Sequence, residues 1–249
     1  MTGNVSANPL VSVIIPAFNE EKELPMTLNA VFRALSAVPE WAAAPEVIVC
    51  DNNSSDITAQ IAEDAGAKVV FEPINQIARA RNTGAGVAMA PWLIFIDADT
   101  HPSPELFIKL ASVLNRKGVI AGGGRFSMSG IDPIASVFLL IFSVWSYLFR
   151  FPGGGFLFCS SHAFNQVGQF NTSYFAAEEI FLFRELNKYA RQNSKKISMI
   201  WTPPIKTSPR KLSLYSPAEI LKLLWKSATR SKATLTDPKE CHLWYDGRR

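Results

Sequence analysis

Short apolar runs alternate with helical patterns through the first hundred residues of the chain. Four runs rich in β-branched residues have the length of strands buried on both faces: VSVIIP (11–16), EVIVCD (46–51), AKVVFE (67–72) and WLIFID (92–97). Strand–helix repetition with short connections predicts an α/β fold with a mostly parallel sheet. All four strands then end at one edge, where open α/β sheets bind ligands.

The segments between these runs have helical patterns. Apolar residues recur at helical spacing over residues 24–35. A second helix can be capped by Ser55 or Asp56 and can stop at Gly66. The stretch QIARARNTGAGVAMA (76–90) predicts a third helix, whose small residues would allow a close approach to the sheet.

The pattern is less regular after Pro102. It predicts a helix over 106–114, a strand or hairpin over 119–128, a helix over 176–186, a strand near 197–203 and a last helix over about 217–232. Residues 134–149 are uncharged and strongly apolar, but this stretch is shorter than the roughly 20 residues of a membrane span. We therefore expect a buried or interfacial helix there.

Composition limits the core size, the kinds of cysteine site and the cellular compartment that we expect for the chain. The chain has 249 residues, 48% of them hydrophobic, which is enough for a large core. Its three cysteines, Cys50, Cys159 and Cys241, are far apart and odd in number, so we expect no disulfide framework and no zinc cluster. The first nine residues lack an apolar stretch, so no secretion signal is expected. Together these features predict a protein of the reducing cytoplasm.

Positive charge is concentrated at the end of the chain. The net charge is +4, and the residues from Ile200 onward contain ten Lys or Arg against four Asp or Glu. A basic end of this kind can face phosphate-rich substrates or a membrane surface, although most such runs are simply solvated. Nucleic acid is not expected as a partner.

Two aspartates follow the fourth apolar run directly. Asp97 and Asp99 would lie at the ligand edge, where two close carboxylates need a cation or several donors to stay charged. Mg²⁺ or Mn²⁺ suits such a pair, because these hard ions are held by one or two carboxylates together with water and substrate phosphates. The alternative is a helix cap, in which Asp99 or Thr100 would accept hydrogen bonds from amides of the following PSPELF segment.

Four motifs, in this order and spacing, resemble a family 2 glycosyltransferase of the GT-A fold: VSVIIPAFNEEKELPMTL, VIVCDNNSSDIT, ARARNTGAGVAMAPWLIFIDADT and AAEEIFLFREL. The resemblance is dense over residues 11–102, patchier to about 186 and thin beyond. It implies a Rossmann-like, mostly parallel central sheet flanked by helices, within a single domain over 1–249. Residues 11–102 would form the nucleotide-sugar half, about 103–232 a less regular acceptor half, and 233–249 a tail.

The resemblance also implies roles for the residues that match the family's motifs. On the donor side the matching residues would contact the base, ribose or diphosphate of a nucleotide-sugar: Pro16, Phe18, Glu20, Asp51, Arg81 and Asp97. Asp99, with Asp97, would hold the metal ion. Glu179 matches the family's catalytic base, and Glu178 stands beside it.

Each of these positions also has a structural interpretation. Glu20 could be an acidic residue in a first helical turn, and Asp51 could close an Asx turn. Arg81 could be a solvated helix residue, as could Arg79, which does not match the family. Glu178 and Glu179 could be exposed helix charges. The glycines of 122–124 and 153–155 could be flexible turns or loops bordering the acceptor, the second set being the better candidate for the acceptor.

Several positions depart from the family pattern. Asn52 stands where a second acidic residue is usual, and Gln76 stands where a glycine is expected. The base position commonly holds Asp, and Glu179 is one methylene longer. A C-terminal histidine that often contacts the metal is not evident, since His242 is far along the chain. Basic residues could reach the diphosphate in its place: Lys206, Arg210 and Lys211.

The resemblance implies transfer of a sugar, with inversion, from a UDP- or GDP-sugar to an acceptor hydroxyl. A divalent Mn²⁺ or Mg²⁺ would assist, and Glu179 would act as general base. The acceptor could be a carbohydrate or a lipid-linked molecule. A polyprenyl-phosphate acceptor at a membrane surface is the main alternative, because the 134–149 stretch and the basic, amphipathic 217–232 segment could contact lipid. A nucleotidyltransferase or a non-catalytic binding module is less favoured, since PAFNEEKE is acidic after the first strand and both acidic motifs are intact.

Overall fold

The computed structural model describes residues 8–127 and 133–207. Its strands are β1 (Val11–Ala17), β2 (Glu46–Asp51), β3 (Lys68–Phe71), β4 (Trp92–Ile96), β5 (Thr100–His101), β6 (Val119–Ser127), β7 (Phe156–Ser160) and β8 (Lys196–Thr207). Its helices are α1 (Leu24–Ser36), α2 (Pro39–Ala42), α3 (Thr58–Asp64), α4 (Ile77–Gly86), α5 (Pro104–Leu114), α6 (Pro133–Phe149), α7 (Ser161–Gln166) and α8 (Glu178–Gln192).

The eight strands form one mixed sheet in the order β3-β2-β1-β4-β7-β6-β8-β5. The first four strands are parallel, as the sequence predicts, and β6 and β8 are parallel to each other. Strand β7 runs antiparallel between β4 and β6, and the short β5 runs antiparallel to β8. The sheet is therefore mostly parallel, and the carboxyl ends of β1, β2, β3 and β4 share one edge.

Alternating side chains of the central strands feed two cores, one on each face of the sheet. In β1, Val13 and Ile15 join the core formed with α1 and α5, whereas Ile14 joins the core formed with α4, α7 and α8. Because helices cover both faces of the sheet at β1, β2 and β4, these strands are buried and mostly apolar, which makes their runs recognisable in the sequence. Strand β3 lies at the sheet edge and its residues are exposed or half-buried, so the prediction of a strand buried on both faces is wrong for it.

The predicted elements of the first half are present, with one correction in length. Helix α3 ends as expected near Gly66, which has φ +83° and donates its N–H to the carbonyl of Glu63. The third helix is shorter than predicted, because α4 ends at Gly86 rather than near Ala90. Gly84 does allow close packing, since a Cβ placed there would lie 2.6 Å from Ile14 Cγ2.

In the second half, residues 134–149 do form a helix, α6, but its described side chains are mostly exposed, so the expectation of a buried helix is wrong for them. Among the described residues, no helix combines the length and apolar character needed to cross a bilayer. The predicted helix over 217–232, the tail over 233–249, Arg210, Lys211, Cys241 and His242 lie outside the described residues.

Candidate active site

The two aspartates after β4 lie in a tight turn at the ligand edge. The N–H of Thr100 donates to the carbonyl of Asp97 at 3.0 Å, and Thr27 of α1 donates its hydroxyl to the carbonyl of Ala98 at 2.6 Å. The N–H of Asp97 itself donates to the carbonyl of Gly155 at 3.2 Å. Hydrogen bonds within the turn, from the Thr27 side chain and to the carbonyl of Gly155 therefore fix the backbone that carries both carboxylates.

A buried arginine joins the aspartate turn to the start of α8. Arg81 on α4 donates from Nη2 to Asp97 Oδ1 at 2.8 Å and from Nη1 to Glu178 Oε1 at 2.5 Å. The same Nη2 donates to the carbonyl of Gly154 at 2.9 Å. Although burial lowers the pKa of Arg81, the carboxylates of Asp97, Glu178 and Glu179 together raise it above its usual value. Arg81 is therefore charged and is not a solvated helix residue.

Phe170 and Asn82 hold this arginine from the other side. The guanidinium carbon lies 5.3 Å from the centre of the Phe170 ring, a cation–π distance. Asn82 fixes the backbone of Phe170 with a reciprocal pair of hydrogen bonds, of 2.9 Å to its carbonyl and 3.1 Å from its N–H. The residue after Arg81 thus positions the ring against which Arg81 packs.

Glu178 and Glu179 form the first turn of α8. The preceding Ala177 has left-handed backbone, with φ +59°, which turns the chain sharply into the helix. A helix amino terminus favours negative charge, so this is a suitable place for carboxylates. Glu178 is buried and points to Arg81, which excludes the interpretation of an exposed helix charge at this position.

Glu179 lies beside Gly154 and is only partly buried. A Cβ placed on Gly154 would lie 3.5 Å from Glu179 Oε1 and 3.3 Å from Arg81 Nη2, so the bare backbone lets both groups approach. Burial, followed by the charge of Glu178, raises the pKa of Glu179 to about 8, and burial also raises the pKa of Glu178. A carboxyl group with its pKa near neutrality is suited to exchange a proton.

The structure excludes the helix-cap interpretation of Asp99 and Thr100. The cap of α5 is Ser103, whose hydroxyl accepts from the N–H of Leu106 at 3.2 Å. Asp99 is buried, and Thr100 donates its hydroxyl to Asp99 Oδ1 at 3.4 Å. The end of β8 adjoins this turn, because the hydroxyl of Thr207 donates to the carbonyl of Asp99 at 3.5 Å.

The donor groups fit a divalent cation that is shared with a bound ligand. Carboxylates outnumber cationic side chains in this cluster, where Arg81 faces Asp97, Glu178 and Glu179. An anionic diphosphate would need a further positive charge to bind there. Within residues 8–127 and 133–207 no three metal-ligating side chains converge, so a hard ion would complete its shell with ligand oxygens and water.

The predicted base-binding residues lie at the ends of β1 and β2. Pro16 lies inside β1, as the 11–16 run predicts, and is buried and paired with Cys50, whereas Phe18 follows the strand and is partly exposed. Glu20 is buried, precedes the first turn of α1 and donates its N–H to Thr58 Oγ1 at 2.8 Å. Asp51 ends β2 and accepts from the N–H of Ser54 at 3.2 Å, which is the turn contact of the structural interpretation.

Asn52 and Gln76, the two departures from the family pattern, contact each other. Gln76 donates its N–H to Asn52 Oδ1 at 2.8 Å, while Asn52 Nδ2 donates to the carbonyls of Glu72 and Ile74. The side-chain amide of Gln76 donates to the carbonyls of Thr172 and Tyr174 at 2.8 and 2.9 Å. Gln76 thus ties the start of α4 to the segment that leads into α8. Sequence analysis marked both positions but did not identify this role.

The structure requires glycine in the two triplets for different reasons. Gly122, Gly123 and Gly124 lie in β6, and a Cβ on Gly122 would lie 1.7 Å from the carbonyl of Ser198. They permit close strand packing and are not flexible turns. Gly153, Gly154 and Gly155 precede β7, and the last two adjoin Arg81, Glu179 and Thr100. The second triplet borders the carboxylate cluster.

The family model for glycosyl transferase family 2 matches residues 12–165, more than half of the chain. An uncharacterised glycosyltransferase of Mycobacterium tuberculosis is 34% identical over 125 residues, which is 50% of this chain and 53% of that protein. Validoxylamine A glucosyltransferase of Streptomyces hygroscopicus is 32% identical over 111 residues, 42% of this chain and 25% of that protein. The chain thus spans about half or less of the length of these relatives.

Solved structures with the same fold include the glucosyl-3-phosphoglycerate synthase of Mycobacterium tuberculosis, crystallised with Mn²⁺, UDP and glucosyl-3-phosphoglycerate. The two chains superpose with a TM-score of 0.62 at 18% identity, over 94% of this chain and 80% of the synthase. TarS of S. aureus gives the same TM-score and identity, over 94% of this chain and 68% of the TarS chain. These similarities establish the predicted GT-A fold.

Proposed function

Since the chain belongs to glycosyltransferase family 2, we propose that it transfers a sugar from a nucleoside-diphosphate sugar to an acceptor, with inversion at the anomeric carbon. The observation that carries this proposal is the cluster in which Arg81 binds Asp97 and Glu178 at the carboxyl end of β4. In one place it combines carboxylates suited to a metal–diphosphate complex with a second carboxyl group, Glu179, suited to proton transfer.

On the donor side, the base and ribose would lie across the ends of β1 and β2. Phe18 offers an aromatic surface there, and the Asp51 carboxylate can accept an N–H of the base while it keeps its contact with Ser54. Pro16, near the end of β1, and Glu20, before α1, would flank the segment that carries Phe18. UDP-sugars are the first candidates for the donor, because a solved structure of this fold was crystallised with UDP. GDP-sugars are the second candidates.

Asp99 and Asp97 are the residues that would hold Mn²⁺ or Mg²⁺ together with the diphosphate. When bound, such an ion stabilises the negative charge that develops on the leaving phosphate. Arg81 orients Asp97 for this role through their 2.8 Å contact. Because Arg81 also binds Glu178, it keeps the donor side and the start of α8 in a fixed relation.

On the acceptor side, Glu179 would act as the general base. It would remove the proton of the acceptor hydroxyl while that oxygen forms the new bond to the anomeric carbon. The bond between the anomeric carbon and the phosphate oxygen breaks in the same step, and the nucleoside diphosphate leaves with the electron pair. Glu178, which is buried against Arg81, would position this carboxylate and does not itself need to touch the substrate.

A lipid-linked phosphate is a second candidate acceptor. The exposed apolar side chains of α6 favour it, because they precede the glycine triplet that borders Glu179. Such an acceptor brings an anionic nucleophile, so its transfer would depend less on Glu179 than transfer to a hydroxyl would.

A thermal-shift panel tests the proposed function. UDP, GDP and dTDP and their sugars are each added to the full chain with and without Mn²⁺, because a ligand that binds the folded state raises the melting temperature. We expect one nucleotide to raise it by several degrees, more so with Mn²⁺. A panel in which no nucleotide shifts the melting temperature, with or without Mn²⁺, would overturn the proposal.

A further inference from the structure

Helix α6 exposes an apolar face to solvent. Among the side chains of α6 that the structure describes, eight are apolar or aromatic and exposed, up to 68% for Leu148 and 60% for Ile141: Val137, Leu140, Ile141, Val144, Trp145, Tyr147, Leu148 and Phe149. The other two described side chains, Ser143 and Ser146, are buried. A contiguous exposed apolar surface of this kind indicates that another apolar phase meets the outer side of α6.

Basic residues stand on one flank of this face. A groove between the end of α6 and α8 is lined by Phe149 and Phe151 together with Arg184, Lys188 and Arg191. Arg184 is paired with Glu185, whereas Lys188 and Arg191 form no ion pair with any described residue. The groove thus combines aromatic side chains with unpaired positive charge.

The other flank has a similar composition. Tyr147 of α6 packs edge-on against Trp201 of β8, with ring centres 5.5 Å apart. Arg125 of β6 lies over the same indole, 5.2 Å from its centre. The apolar face is therefore bordered on both sides by an aromatic ring and a cation, and α6 itself has no charged residue.

We propose that the exposed face of α6 docks on a membrane of anionic lipids. Helices that lie in a membrane interface bury an apolar face among acyl chains, while flanking Trp, Tyr, Lys and Arg meet the headgroups. The groove supplies the positive charge that anionic headgroups attract. A second copy of this chain is the competing occupant, but facing copies would bring the same unpaired cations towards each other.

This docking would place the acceptor side of the site at the lipid surface. Phe149 ends α6, and five residues later the carbonyl of Gly154 binds Arg81 beside Glu179. The acceptor class that follows is an amphiphile whose reacting group lies at headgroup level. This conclusion about the acceptor rests on the proposed function, whereas membrane docking itself does not.

Vesicle co-sedimentation of the full chain tests the docking. We expect binding to phosphatidylglycerol vesicles at 0.1 M salt, weak binding to phosphatidylcholine vesicles, and loss of most binding in 1 M salt. Ile141→Ser with Leu148→Ser should reduce the bound fraction at least about tenfold. Lys188→Glu with Arg191→Glu should reduce it about as much on phosphatidylglycerol. The matched control is Met89→Ser with Ile108→Ser, two equally exposed apolar residues far from α6, which should bind like the unchanged chain.

Two further measurements make the outcome decisive. Light scattering after gel filtration reports the oligomeric state. If the unchanged chain is a dimer and the Ile141→Ser, Leu148→Ser variant is a monomer, the membrane assignment is overturned. It is also overturned if the unchanged chain does not bind phosphatidylglycerol vesicles. The thermal shift by UDP and Mn²⁺ should be the same in the α6 variants as in the unchanged chain. Loss of vesicle binding with an intact nucleotide shift leaves the proposed function standing, whereas loss of the shift in the unchanged chain rejects that function alone.

Discussion

Arg81 and Glu178 are 97 residues apart in the sequence, yet their side chains form a 2.5 Å ion pair that is almost wholly shielded from solvent, 1% and 4% exposed. Removing two charges from water is costly, so each must keep its partner. Arg81 binds Asp97 in addition, so one guanidinium organises the carboxylates of both halves of the candidate site.

Replacing Arg81 with Met should therefore destabilise the protein by roughly 3–5 kcal/mol, because the buried Glu178 would lose its cationic partner. Adding Glu178→Met should recover part of the loss, since it removes the carboxylate that has lost this partner. Denaturant unfolding at pH 7 of both single variants and the double variant measures the coupling. If the two single effects simply add, the pair does not act as a unit.

Asp99→Asn should remove metal-dependent nucleotide binding. The amide cannot supply a charged oxygen to a hard cation, so the Mn²⁺-dependent part of the thermal shift by the nucleotide should disappear, and turnover should fall with it. The control is Asp64→Asn, an exposed carboxylate on α3 that accepts from Gln60. Full metal-dependent activity in the Asp99 variant would reject Asp99 as the metal ligand.

Glu179→Gln should slow transfer to a hydroxyl acceptor by about 10²–10⁴-fold while it leaves nucleotide affinity nearly unchanged. Glu185→Gln, on the exposed side of the same helix, is the matched control. Equal losses of nucleotide binding and turnover in the Glu179 variant would assign Glu179 a structural role. Undiminished transfer to a lipid phosphate, with slow transfer to hydroxyls, would instead support the second acceptor class.

The pKa of Glu179 also predicts the pH dependence of transfer. A base must be deprotonated to act, and burial beside Glu178 raises the pKa of Glu179 to about 8. We therefore expect kcat/KM to rise with pH up to about 8 and then level off, since kcat/KM reports the free enzyme. A profile that is flat from pH 6 to 9 would contradict this assignment.

The raised pKa of Glu179 also predicts that the folded chain becomes less stable as the pH rises, whereas kcat/KM increases. The pKa of Glu179 is higher in the folded chain, about 8, than its ordinary value of 4.5, so the folded state binds more protons between these values. Its contribution to stability is present below about pH 4.5 and is lost as the pH rises towards 8. Glu179→Gln should remove this loss, so at pH 8 the variant should be more stable than the unchanged chain by on the order of 1–2 kcal/mol.

Gln76→Ala should lower kcat by roughly tenfold with a smaller change in the KM for the nucleotide-sugar, because its amide holds the segment that enters α8. Loss of these two hydrogen bonds, and of the one that Gln76 Oε1 accepts from Arg79 Nε, should also cost about 2–3 kcal/mol of stability. Gln60→Ala on the exposed side of α3 is the control. A change in KM alone would place Gln76 on the donor side.

The sequence contains the information for the first half of this fold because β1, β2 and β4 are buried on both faces and are therefore mostly apolar. It does not reveal that β7 runs antiparallel beside β4, since strand direction depends on where the chain returns after α6. The same limit applies to the site. Asp97 and Asp99 are separated by one residue in the sequence and could be proposed together, but the link from Arg81 to Glu178 is a tertiary contact. In the sequence, Gln76 stands out only because it departs from the family pattern. Its partners Thr172 and Tyr174 cannot be recognised from the sequence, because they contribute backbone carbonyls.

The pairing of β4 with β7 has a consequence for how enzymes of this type can be recombined. The last of the four parallel strands, β4, is paired with β1 on one edge and on the other with β7, which comes after α6. The N–H of Asp97 donates to the carbonyl of Gly155 just before β7. A chimaera joined near residue 102 would keep this edge paired only if the incoming sequence supplied an equivalent strand in the same register. Grafting α6, or the segment before α8, from a relative should therefore transfer the acceptor preference of that relative. The graft should fail when β7 is replaced as well.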